Sequence, residues 1–103
     1  MSKFKMLYKA MYDDLKDADM LTEYACKLRE KSPEDKTLAD ELMKYGKYRL
    51  DHFMEFHKLF VAEAKKEATD DSHKTKVDEC LWEVTHDNLQ EWMEDIEARI
   101  KKY

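Results

Sequence analysis

The sequence predicts an all-α fold built from three long helices, and two observations carry that reading. One Gly and one Pro occur among 103 residues, which leaves almost no turn vocabulary for a sheet protein. Apolar residues then recur at spacings of three and four along three extended stretches, the period of amphipathic helices. The length suits one domain, 1–103, of a size that buries roughly 60–65% of the surface of its unfolded chain.

Helix 1 is expected over about residues 3–31. Its stripe runs Phe4, Leu7, Tyr8, Met11, Leu15, Ala18, Thr22, Ala25 and Cys26. It must stop at Ser32-Pro33, because proline cannot continue a helix and disfavours helical geometry in the residue before it. The same dipeptide starts helix 2: Ser32 is a natural N-cap, Pro33 fits the first helical position, and Glu34 and Asp35 suit the positive helix end.

Helix 2 is expected over about residues 33–68, on the order of 50 Å long. Its stripe is Leu38, Ala39, Leu42, Gly46, Arg49, Leu50, Phe53, Phe56, His57, Phe60 and Ala64, with Tyr45, Tyr48, His52 and Leu59 on a flanking arc. That arc is wider than one partner helix covers, so helix 2 is expected at the centre of the fold. Gly46 costs about 1 kcal/mol relative to Ala in a helix interior, and a close helix crossing is the usual compensation.

Cap-forming side chains at Thr69-Asp70-Asp71-Ser72 break the pattern. Helix 3 is expected over about residues 74–102, with a stripe through Val77, Leu81, Val84, Asn88, Leu89, Trp92, Ile96 and Ile100. Arg99, Lys101 and Lys102 suit its negative C-terminal end. The tight turn at Ser32-Pro33 makes helices 1 and 2 an antiparallel hairpin. A bundle of three unequal helices leaves part of helix 2 uncovered, and a homodimer or higher homo-oligomer assembled through the hairpins is the simplest cover.

The net charge of −5 is placed unevenly. Eight acids and no Lys or Arg lie between Asp78 and Glu97, which repels phosphate backbones and argues against nucleic-acid binding there. The ordinary reading is a solvated helix face. The alternative is a docking surface for a basic protein, with Glu83, Asp87 and Glu91 as its candidates. No apolar run of about 18 residues is present to span a membrane, and the N-terminal residues lack a signal-peptide core. A cytoplasmic location is therefore expected, with Cys26 and Cys80 as reduced thiols.

Four histidines and many carboxylates raise the question of metal. The stretch Asp13-Asp14-Leu15-Lys16-Asp17-Ala18-Asp19, then Ala39-Asp40-Glu41-Leu42, then Arg49-Leu50-Asp51-His52-Phe53-Met54-Glu55-Phe56-His57 resembles small ferritin-like proteins of phages and prophages of Gram-positive bacteria. The similarity covers about residues 5–65. It implies a ferritin-like hairpin in which His52, His57, Asp14 and Asp17 match metal-ligating positions, with iron, manganese or zinc as the ion. At the position of the family's Glu, three residues before His52, stands Arg49.

A guanidinium offers no lone pair and is always charged, so it removes a ligand and repels a cation. The expectation is therefore no metal and no cofactor, with Arg49 forming a structural ion pair to Asp14 or another helix 1 carboxylate. His57 is expected as a hydrogen-bonded core histidine and His52 at an interface. Glu83-Val84-Thr85-His86 repeats the Glu-x-x-His spacing but reads as surface. No nucleophile elbow or phosphate loop accompanies either cysteine, so no catalytic residue is assigned. The leading expectation is a non-enzymatic, self-associating structural or interaction protein; the alternative is a degenerate di-metal bundle.

Overall fold

The computed structural model describes residues 3–67 and 88–103. All regular structure among them is helical: α1, Lys3–Lys31; a 3₁₀ turn, Pro33–Asp35; α2, Lys36–Glu67; and α3, Asn88–Lys102. Residues 68–87, including Cys80, Glu83, His86, Asp87 and the first half of the expected helix 3, lie outside the described residues.

Helix 1 ends where proline dictates. The Ser32 amide donates to the Leu28 carbonyl at 2.8 Å, and the Asp35 amide returns to the Ser32 carbonyl at 2.8 Å. The turn is thus closed by the backbone. The Ser32 side chain makes no cap hydrogen bond, which corrects the N-cap expectation. With Pro33 supplying no amide and a 3₁₀ turn tightening the entry, α2 starts three residues later than expected.

α1 and α2 run antiparallel along their whole length. Lys3 bridges to Glu63 at 2.9 Å, Phe4 meets Phe60 edge-on at 5.6 Å, and Thr22 faces Gly46. α3 runs parallel to α1: Trp92 reaches Asp19, Arg99 reaches Asp19 and Thr22, and Tyr103 reaches Arg29. The core between the helices is Met11, Leu15, Ala18, Leu50, Phe53 and Phe60, joined by Leu89 and Ile96 of α3.

Two expectations about α2 change. Leu38, placed on the buried stripe, is 56% exposed, while Met43, left off it, is buried. α1 rather than α2 is the central helix. Of the described side-chain hydrogen bonds to the hairpin from α3 and the Tyr103 that follows it, those of Trp92 and Arg99 end on α1, and the Tyr103 hydroxyl reaches α2, donating to Asp40 at 2.6 Å.

Gly46 marks the closest approach of the hairpin. A Cβ built there would stand 2.5 Å from Thr22 Cγ2 and 3.3 Å from the Thr22 amide nitrogen. Thr22 cannot swing away freely. Its hydroxyl donates to the Ala18 carbonyl at 2.8 Å and accepts from Arg99 at 3.0 Å. The glycine on α2, the threonine on α1 and the arginine on α3 therefore form one mechanical unit.

Candidate functional site

The hairpin has two flanks, and each carries a polar group of different construction. On a helical wheel Tyr12 and Asp19 fall on one side of the buried line Met11, Leu15, Ala18 and Thr22, while Asp14 and Asp17 fall on the other. α3 covers the Tyr12–Asp19 side. Arg49 covers part of the opposite side.

On the α3 side Asp19 is the hub. Its Oδ2 accepts from the Trp92 indole at 2.7 Å and its Oδ1 from Arg99 Nη1 at 2.6 Å. The same nitrogen reaches the Asp19 carbonyl at 2.9 Å. Tyr12 meets the Trp92 ring edge-on at 5.5 Å. Both carboxylate oxygens are thus occupied by α3 donors, a charge-assisted arrangement that fixes the position and register of α3 on α1. Sequence reading missed Asp19 as a docking residue and took Arg99 only as a dipole partner. The usable signal was the i, i+7 spacing of Trp92 and Arg99, which puts two donors on one face of α3.

On the opposite side, Arg49 Nη2 lies 3.0 Å from Asp14 Oδ1 and 2.8 Å from Asp17 Oδ2. One nitrogen is shared between two carboxylates, so a bidentate fork with Asp14 does not close. Arg49 Nε and Asp14 Oδ2, the atoms a second parallel bond would use, are buried and without a hydrogen-bond partner. The Asp14 side chain is 5% exposed and that of Arg49 35%. Burial raises the Asp14 carboxyl above the ordinary aspartate range, against the opposing fields of Arg49 and His52. Desolvation prevails because the carboxylate is nearly sealed off while part of the arginine's charge is screened by water.

The two histidines matched to metal positions lie apart. Five residues separate them, about 140° around the helix. His52 stacks along α2 between Tyr48, 4.4 Å away, and Phe56, at 6.4 Å. His57 lies flat against Phe53 at 5.9 Å. Its Nε2 is buried without a partner, contrary to the expected hydrogen-bonded core histidine, and burial lowers its pKa from the ordinary value. Among the described residues no group of three or more His, Cys, Asp or Glu is arranged to hold a metal. Arg49 occupies the space beside both helix 1 carboxylates.

No family model, curated protein or solved structure matches this chain. Chemistry must be read from the residues themselves.

A cleft of about 740 Å³ lies between the C-terminal halves of α1 and α3, lined by Cys26, Arg29, Asp95, Arg99 and Tyr103 among others. Its two arginines are already engaged. Arg29 bonds the Tyr103 main-chain oxygen and covers the Tyr103 ring at 4.6 Å, and Arg99 is held by Asp19. No described helix is long and apolar enough to cross a membrane. Of the acidic docking candidates, only Glu91 falls among the described residues, and it is exposed on α3.

The most unusual surface is on the Arg49 side of α2. Tyr45, Tyr48 and Leu59 are exposed there, with Leu38 at one end and half-buried His52 and Phe56 between them. At the other end Met6, Leu7 and Leu59 line an apolar groove of about 380 Å³, rimmed by Lys3 and Glu63.

Proposed function

We propose that this protein is a non-enzymatic helical component that works by associating with itself. The observation that supports this reading is the unequal dressing of the hairpin. One flank is closed by α3 through aromatic packing and the Asp19 hub. The other leaves Leu38, Tyr45, Tyr48 and Leu59 exposed in a line along α2. Scattered apolar residues on a surface need no explanation, but a continuous aromatic and aliphatic stripe marks an interaction surface.

The groups that would serve catalysis are engaged in helix docking instead. Asp19, Thr22 and Arg99 bind each other, and Asp14 and Asp17 bind Arg49. The ion pair holds α2 to α1 where a ferritin-like relative would place a metal, so the resemblance over residues 5–65 is compatible with a structural role for the same bundle. Sedimentation equilibrium tests the reading. A dimer or larger assembly at micromolar concentration is expected; a mass near 12.5 kDa across that range would contradict it.

A further inference from the structure

We infer that the exposed face of α2 is the seat of a second copy of this chain, bound antiparallel about a two-fold axis near residues 48–49. The inference rests on the self-association reading and adds the face, the orientation and the register.

The geometry begins with spacing. Leu38, Tyr45, His52 and Leu59 are separated by seven residues each, and Tyr48 stands three after Tyr45. That repeat keeps one seam facing a partner helix for three successive intervals, roughly 30 Å of helix. The seam is also self-complementary end to end. Leu38, 56% exposed, is a projecting knob. Leu59 forms one wall of the groove with Met6 and Leu7. An axis near residues 48–49 places the Leu38 of each copy over the Leu59 groove of the other, so both grooves are filled at once, as an isologous contact requires. Tyr45 then opposes His52 of the second copy, and the two Tyr48 rings meet at the axis.

Charge selects the orientation. Along the same edge of α2 lie Glu41 and Lys44 in the first half, and Glu55 and Lys58 in the second, all exposed. A parallel two-fold arrangement carries this edge of the two copies to opposite sides of the seam, so none of the four residues finds an opposite charge on the same edge of the second copy. The antiparallel arrangement brings Glu41 to the Lys58 of the second copy and Lys44 to its Glu55. Exposed pairs contribute little affinity, so these four residues act mainly on orientation, meeting opposite charges only when the two copies run antiparallel. Glu55 and Lys58 already pair within the helix at 3.3 Å, and the second copy extends that pair into a four-residue network.

The 103-residue chain with Cys26 and Cys80 replaced by Ser serves for the test. Leu38→Cys and Leu59→Cys chains are prepared separately, then mixed and oxidised, beside sedimentation of wild type and Tyr48→Glu, with circular dichroism confirming that each variant is helical. Expected are a wild-type dimer, disulfide-linked dimers in the mixture but not in either single variant, and dimerisation weakened at least about tenfold by Tyr48→Glu, a buried charge at the centre of the contact. Cross-linking of Leu38→Cys to itself would overturn the antiparallel register. A dimer indifferent to Tyr48→Glu would overturn the face while leaving self-association standing. A wild-type monomer, whether the face binds another protein or none, overturns both.

Discussion

The two flanks of the hairpin solve the same problem differently. Each carries an arginine from a neighbouring helix bound to aspartates of α1: Arg99 to Asp19 on one flank, Arg49 to Asp14 and Asp17 on the other. At Asp19 both carboxylate oxygens are bonded, one to Arg99 and one to Trp92. At Asp14 one oxygen is bonded, and its twin, together with Arg49 Nε, is buried without a partner. A satisfied charge pair locks a helix in place, whereas a half-satisfied one loses much of its Coulomb gain to desolvation. The covered flank therefore has its position written in hydrogen bonds. The open flank has a weaker anchor and a bare aromatic seam beside it.

Breaking the stronger flank should have the largest effect. Asp19→Ala leaves the Trp92 indole and the Arg99 guanidinium without their shared acceptor, and a loss of about 2–3 kcal/mol in chemical denaturation is expected. The near-ultraviolet signal of the tryptophans should collapse with it. A loss below half a kcal/mol would mean that α3 is held by apolar packing alone.

The join between the flanks comes next. Gly46→Ala should destabilise by about 1–2 kcal/mol, because overpacking against Thr22 exceeds the helix-propensity gain of replacing glycine. In a Thr22→Ser background the clashing Cγ2 is gone while the hydroxyl to Ala18 and Arg99 remains. Gly46→Ala should then be neutral or stabilising. If the penalty persists, contact with the Thr22 backbone rather than its methyl limits the approach.

The smallest effect belongs to the open flank. Asp14→Asn keeps the shape, leaves Asp17 as partner for Arg49, and should change stability by under about 1 kcal/mol at neutral pH. The sharper signal is its pH dependence. Because burial holds the folded Asp14 carboxyl above its unfolded value of 3.8, the native state keeps a proton that the unfolded chain has released. Wild type should therefore lose stability relative to Asp14→Asn as pH rises from below 3.8 through the folded pKa, and then level off. Urea titrations of both chains between pH 3 and pH 7 measure this difference. A gain for wild type over that range would mean that Arg49 prevails over burial.

Much of this was legible in the chain, and what was not has identifiable causes. Periodicity and the Ser32-Pro33 break gave the bounds of α1 and all but the first turn of α2, and the single glycine in a helical run pointed to the close crossing at Thr22. Leu38 was misplaced because the stripe was drawn too wide: it stands seven residues before Tyr45 on the exposed seam, while Ala39 beside it is fully buried. Met43 was missed for the complementary reason, lying on a margin that α1 happens to cover. Asp19 was hidden among the acids Asp13, Asp14, Asp17 and Asp19, which look alike in sequence but divide between opposite flanks once the third helix is placed.

The sequence by itself determined that the chain is helical, that its first two helices form a hairpin broken at Ser32-Pro33, and that Arg49 needs acidic company on α1. These follow from local rules: backbone dihedrals, apolar period and the permanence of a guanidinium charge. Only the tertiary structure decided that α1 is the central helix, that Asp19 rather than Asp14 anchors α3, and that the two histidines of α2 look to different sides. Such choices depend on which flank of α1 receives the third helix, and that is set by the summed packing of residues distant in sequence, which no single helical pattern contains.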